Sequence, residues 1–554
     1  MPNCHSLYTR EVMVKNKLML LFLACLLLTW AQLFAVNQME LIHTLYGEFN
    51  GARFGNRVVA MDYNADGYDD LIVSSIYWNP TGEYSSNQGW GKLYFYWGGP
   101  NMDNIPDFVM EGTRNWELYP ANPKNGGDIN GDGIDDLVIT LPVGSVCVIA
   151  VYYGKATPTG IPDETITIPF SVMDYISATP LGDINGDGRA DMVIHTEPWE
   201  TYGSRLIIWT GNETPFHTLI DTDNGSVSRS AIGVGDVNGD EVDDYLLQYG
   251  LPGGTNMDSR IVLYYGSTNF PEVDSLVISD NTNAITLKYS SPLGDLNNDG
   301  YADFETYVGK VWLGGTDLTP NNDFELTYNY QYHDWGNPGY NVLTPFIHGD
   351  LNGDGYDEVI GSSYLMNYYR GEVGIWIGGP NMDGLIDLYL YPPSDYETRH
   401  FGYAKAAGDF NGDGLCDIAV SAPMYYGAPQ WATGRVFIYS GNTALSDPVV
   451  ANDDLLSPSL SDSLWDIGVS PNPIGQTDQL RVELIGSGYK TTQKIALTVY
   501  NIKGQRIYSS IVIGNSQAPA THTITLTEQA AGIYLISTSV GGKPVITKKI
   551  SIIK

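Results

Sequence analysis

Asp62-Tyr-Asn-Ala-Asp-Gly-Tyr-Asp-Asp70 is a nine-residue acidic loop, and six near-copies of it follow. They begin at Asp128, Asp183, Asp236, Asp295, Asp350 and Asp409, at intervals of 66, 55, 53, 59, 55 and 59 residues. A repeat of that length marks an array of like supersecondary units, each too small to bury its own apolar face. In every copy an acid or amide stands at positions 1, 3, 5 and 9. Oxygen donors at that spacing, with no His or Cys recurring among them, suit a hard cation and above all calcium, and argue against zinc or copper.

The first copy shows why the spacing is needed. Asp62, Asn64 and Asp66 project oxygens to one side of a tight turn, and Gly67 lets the backbone reverse. Tyr68 offers its carbonyl, and Asp70 closes the shell. The same roles fall to Asp128, Asn130, Asp132, Ile134 and Asp136, then to Asp183, Asn185, Asp187, Arg189 and Asp191. Asp236, Asn238, Asp240, Val242 and Asp244 follow, then Asp295, Asn297, Asp299, Tyr301 and Asp303. The last two sets are Asp350, Asn352, Asp354, Tyr356 and Glu358, and Asp409, Asn411, Asp413, Leu415 and Asp417. Up to seven calcium ions are therefore expected. The fourth site is the weakest expectation, because Glu241 replaces the glycine at position 6.

The flanks exclude the helical calcium motifs. An EF-hand needs a bidentate acid at position 12 and a helix on each side. Position 12 here is Val73, Ile139, Ile194, Leu247, Thr306, Gly361 or Val420. Each loop runs instead into a short segment, usually apolar, such as Leu71-Ile-Val73 or Leu137-Val-Ile139, which reads as a buried strand. An aromatic-aliphatic strand ending in glycine comes next, for example Lys92–Gly98, Arg260–Gly266 and Arg435–Gly441. Before each loop stands a strand of small residues, such as Ala404-Lys-Ala-Ala-Gly408, suited to a crowded axis. A looser fourth strand completes the unit. Four strands repeated seven times predict an all-β fold: a seven-bladed β-propeller, followed by a small C-terminal β-sandwich.

Phe54-Gly55 and Phe401-Gly402 before loops one and seven, and Ser421-Ala-Pro423 after the seventh, resemble the FG-GAP (VCBS-type) repeats of the integrin α-subunit propeller and its bacterial relatives. The resemblance covers residues ~40–445. It implies calcium at all seven loops, each joining the first two strands of a blade on the face opposite the usual ligand surface. Met39–Tyr46 matches the outer-strand pattern of Ile386–Tyr391, so an N-terminal strand at about 39–46 is expected to close blade seven and remove an open edge.

The termini suggest an address. Lys15 and Lys17 precede the apolar run Leu18–Leu28, with Ala31 and Ala35 as cleavage points, so residues 1–35 read as a secretory signal peptide and no transmembrane anchor is expected. The propeller is assigned to 36–445 and a polar linker to 446–464. Residues 465–554 carry nine Lys or Arg against four Asp or Glu, while the whole chain is −36. Ser470-Pro-Asn-Pro473, Val499-Tyr-Asn-Ile-Lys-Gly-Gln505, Gly532-Ile-Tyr534 and the basic tail Lys548–Lys554 resemble the type A sorting domain of the type IX secretion system of Bacteroidota. That resemblance implies the type IX machinery as a partner and a location outside a Gram-negative cell, secreted or on its outer surface.

The acidic balance has a local origin. The seven loops hold 26 of the 64 Asp and Glu, so the charge reflects ion sites and makes nucleic acid an improbable partner. The eight His fall in no nucleophilic or metalloprotease setting, and no catalytic residue is assigned. The loops from second to third strand should emerge opposite the metal loops, and they are rich in aromatics. Tyr77, Trp78, Tyr84, Trp90, Trp199, Tyr202, Tyr364, Tyr368, Tyr369, Tyr425, Tyr426 and Trp431 are candidates to meet a glycan or protein ligand. The expectation is a non-catalytic adhesion or ligand-binding module; the alternative is a secreted carbohydrate-active hydrolase or lyase using the same face.

Overall fold

The computed structural model describes residues 39–445 and 465–552, apart from connecting segments such as 83–88, 114–121, 198–204, 251–258, 280–289, 328–342, 366–369 and 425–432. The expected signal peptide and linker lie outside the described residues. Blade one shows how the sequence makes a unit. Phe54–Met61, Asp70–Ser75, Lys92–Tyr96 and Phe108–Glu111 pair antiparallel in chain order, with the acidic loop as the connection between the first two. Five more four-stranded sheets follow in the same order. In the seventh, Lys405–Gly408, Asp417–Ala422 and Arg435–Ser440 are joined by Glu40–Tyr46 from the other end of the propeller. Glu40 lies opposite Ser440 and Tyr46 opposite Arg435.

The innermost strands close into a ring. Phe54–Met61, Lys124–Asn125, Tyr175–Gly182, Ser228–Gly235, Ser291–Gly294, Leu343–Gly349 and Lys405–Gly408 each lie against the next, and the last lies against the first. The core is distributed in seven wedges, one at each junction between blades. Strand periodicity builds them, because alternate side chains of a second strand face opposite neighbours. Leu71 and Val73 pack with Phe410, Ala419, Val436 and Ile438 of blade seven. Ile72, between them, packs with Leu137, Ile139 and Tyr152 of blade two. At the junction of blades four and five, Phe304 stacks on Trp312 with ring centroids 5.5 Å apart.

The Phe-Gly pairs have a packing reason. Phe54 and Phe401 are fully buried, and Gly55 and Gly402 have φ of +83° and +85°. A Cβ on Gly402 would stand 2.6 Å from the Ser362 Cβ of blade six. Only glycine combines that handedness with that approach.

The C-terminal unit is two facing sheets. Trp465–Ser470, Gln479–Gly486 and Ala520–Thr525 form one. Arg506–Gly514, Gln493–Asn501, Gly532–Val540 and Lys543–Ile552 form the other, in that spatial order. Leu480, Val482 and Ile524 from the first sheet and Leu497, Val499 and Ile536 from the second are buried at alternate positions, as a sandwich requires. A 2.7 Å hydrogen bond joins the Tyr508 hydroxyl to His522 Nε2 across the two sheets.

Candidate metal loops and the opposite face

All seven loops share one hydrogen-bond plan. The position-1 aspartate turns its Oδ2 onto the backbone N–H of position 6, at 2.7–3.0 Å in every copy. The position-5 aspartate accepts from the N–H of position 7 through Oδ1, at 2.9–3.1 Å. These turns hold the carboxylates on one side of the loop. Two residues per loop pass through the left-handed region. Position 6 is one of them, where Glu241 takes φ +67° in place of glycine. Position 4 is the other, as glycine in five copies, Ala65 at +61° and Asn298 at +53° in the remaining two. The need for a left-handed position 4 was missed in the sequence, although its frequent glycine is the signal.

Position 9 does more than the sequence suggests. Asp70, Asp136, Asp191, Asp244, Asp303, Glu358 and Asp417 are all fully buried. One oxygen of each accepts from the backbone N–H of position 2, at 2.6–3.1 Å. The second oxygen of five of them accepts from the glycine that ends the third strand, at 2.7–2.9 Å. The acid is thus a clasp between loop and blade. Burial raises these carboxyls strongly, and neighbouring loop aspartates add to the rise. Asp70, Asp136, Asp244, Asp303 and Asp417 stand at about 7, and Asp191 and Glu358 at about 8.

The loops are also tied to one another. The N–H of position 8 donates to the position-1 carbonyl of the preceding loop from Ala190, Asp243, Ala302, Asp357 and Cys416, at 2.7–3.1 Å. Of the four acids at position 8, Asp135 accepts from Asn125 Nδ2 of its own blade at 2.7 Å, and the other three bond backwards. Asp69, Asp243 and Asp357 accept the backbone N–H of Asp409, Asp183 and Asp295 at 2.8–3.0 Å. Asp69 therefore bridges the first and last blades.

Among the described residues, no three acidic, His or Cys side chains close into a ready-made cage. The donor set still fits a hard cation. It is all oxygen, and Asn64 Oδ1 and Asn130 Oδ1 are buried without a hydrogen-bond partner, which is costly for an amide carbonyl. A cation would also offset the burial, and the lesser like-charge crowding, that push the position-9 acids upward.

The opposite face is partly described. Trp78 corrects one expectation: it is only 6% exposed. Its indole N–H donates to Glu48 Oε2 at 2.8 Å, and Lys92 Nζ sits 4.9 Å from its ring centroid while pairing with Glu48 at 2.7 Å. It packs the N-terminal segment onto blade one and offers no surface. Tyr77 and Trp90 are half-buried on the same blade, with the Arg53 guanidinium 4.9 Å from the Tyr77 ring centroid. Tyr364 is half-buried against His400 and Tyr403. Tyr84, Trp199, Tyr202, Tyr368, Tyr369, Tyr425, Tyr426 and Trp431 lie outside the described residues.

Comparison with known proteins agrees with the ring and its loops. An FG-GAP-like repeat family matches residues 128–194, and an FG-GAP repeat matches 401–439. Two stretches of the propeller thus match FG-GAP repeats. A secretion system C-terminal sorting domain matches residues 469–554. Similar proteins include integrin alpha-5 of Xenopus laevis, 25% identical over 162 residues, which is 28% of this chain and 15% of that protein. Integrin alpha pat-2 of Caenorhabditis elegans is 25% identical over 293 residues, 51% of this chain and 20% of the relative. Human integrin alpha-6 is 26% identical over 147 residues, 26% of this chain and 12% of the relative. The matched stretch of this chain thus spans a fifth or less of each of these relatives. Among the described residues, no helix is long and apolar enough to cross a membrane.

Proposed function

We propose that this protein is a secreted, calcium-stabilised propeller that binds a glycan or protein ligand in adhesion, exported through its C-terminal domain by the type IX machinery of a Gram-negative bacterium. The observation that carries the reading is the placement of the acidic loops in the strand order of the blades. Every oxygen-lined loop joins the first and second strand of its blade, so all seven fall on one side of the ring. The loops from second to third strand, with Trp90 and Tyr77, are left for contact on the other side.

Calcium would be held by the carboxylates and amides at positions 1, 3 and 5, the carbonyl at position 7 and the clasp at position 9. Bound there, it supplies charge neutralisation and stability. The chain's own residues do the rest: the turns at positions 4 and 6 orient the oxygens, and the position-8 ties pass the order of one loop to the next. The likeness to integrin alpha chains supports an adhesive role without naming the ligand. The test is an array of glycans and extracellular matrix proteins probed with the full chain in calcium and in EDTA. Calcium-dependent retention of a defined ligand is expected, with Trp90→Ala weakening it. No ligand retained under either condition would count against the binding role.

A further inference from the structure

A second set of charges stands inside the ring, away from the loops. Arg57 is on the inner strand of blade one and Lys124 on that of blade two, five and four residues before their loops begin. That distance is about 13–17 Å along a strand. Both are half-buried. Arg57 Nε donates to Asn122 Oδ1 at 2.7 Å and its Nη1 to the Asn56 carbonyl at 3.0 Å. Lys124 Nζ donates to Thr179 Oγ1 at 3.0 Å on the inner strand of blade three. Each cation therefore reaches along the channel wall toward the next blade.

None of these acceptors is charged, and neither cation meets a carboxylate among the described residues. That is unexpected in a chain with 64 acidic residues and 28 basic ones. Burial lowers the Lys124 ammonium to about 8, and the Arg57 charge beside it adds to the fall. Neutral side chains could tie the blades without that desolvation cost. Among the described residues, most of the N–H donors on the two groups meet no protein partner.

We propose that Arg57 and Lys124 form a seat on the channel wall for one carboxylate of the ligand, that of a uronic-acid residue in an otherwise uncharged glycan. A guanidinium fork matches a carboxylate, and the ammonium adds a point charge beside it. A single anion is favoured over a polyanion, because the net charge of −36 repels the latter at range. Trp90 and Tyr77, on the same blade as Arg57, supply flat apolar surface of the kind a sugar ring uses. The glycan assignment rests on the reading that ligand meets the face away from the loops, whereas the anion seat can be tested apart from it.

The experiment is a set of thermal melts of the full chain in saturating calcium at constant ionic strength, titrated with glucuronate, glucose, acetate or trialanine. Glucuronate should raise the melting temperature saturably, acetate more weakly, and glucose not at all. Arg57→Gln and Lys124→Met should each weaken the glucuronate response at least tenfold, and Lys124→Arg should keep most of it. A glucuronate response no stronger than glucose, or unchanged in both variants, would overturn the seat. Trialanine acting at lower concentration than glucuronate would overturn the sugar assignment. Neutral glycans bound on an array equally by wild type and both variants would remove the seat and leave the binding role standing. A saturable glucuronate response from a protein that retains nothing on the array would do the reverse.

Discussion

Glu241 and Ala65 show how narrowly each loop is specified. Both hold left-handed backbone that costs an L-residue about 1–2 kcal/mol. Replacing either by glycine removes that strain but loosens the unfolded chain, so a net gain of about 0.5–1 kcal/mol is expected in urea melts. Equal or lower stability in both variants would show that the turn is held differently. Trp78→Ala should destabilise by about 3–5 kcal/mol, as loss of a buried tryptophan does, while the folded fraction keeps its ligand. The sequence could not distinguish Trp78 from Trp90, because both stand in the same aromatic loop. What separates them is Glu48, a residue 30 positions away that takes the Trp78 indole N–H.

At the scale of the element, the acidic loop is a joint as well as the proposed ion site. Its ligand pattern was legible because it repeats in one register. Its second duty was not, because the partners of positions 8 and 9 lie on neighbouring strands and blades. Asp357→Ala removes the bond to the Asp295 N–H and leaves that donor in part-buried surroundings. We expect about 1–3 kcal/mol of lost stability together with weaker calcium binding at the fifth loop, read by calorimetric titration. Loss of stability with wild-type calcium affinity would separate the joint from the ion site.

The position-9 acids also set a pH dependence for the ion-free loops. Their folded values of about 7 to 8 lie above the unfolded carboxylate range. The folded state then holds more protons than the unfolded state between about pH 4 and 8, so stability falls as pH rises through that window. In EDTA the melting temperature should be higher at pH 5.5 than at pH 8. With calcium bound the order should reverse, since protons compete with the cation. A melt in EDTA that rises steadily to pH 8 would contradict this.

For the whole molecule, the ring explains why such acid-rich loops can exist. Seven separate wedges bury the blades against each other, and Glu40–Tyr46 joins the last sheet to the first part of the chain. The all-β class and the blade number followed from the period of the loops. The burial of individual aromatics and the cations on the channel wall did not, because both depend on contacts between blades. Deleting residues 465–554 should leave the propeller folded, since its strands end at Ser440, but retained inside the cell envelope. Normal appearance of the truncated chain outside the cell would remove the export role.

The central claim is that calcium in the seven loops holds this ring together, and the most direct measurement is a thermal melt of the metal-stripped chain with calcium or magnesium added back. Binding to the folded state alone stabilises by mass action. The melting temperature should therefore drop in EDTA and recover at lower concentrations of calcium than of magnesium, with several calcium ions per chain found by elemental analysis. An unchanged melt in EDTA, with no metal retained, would contradict it.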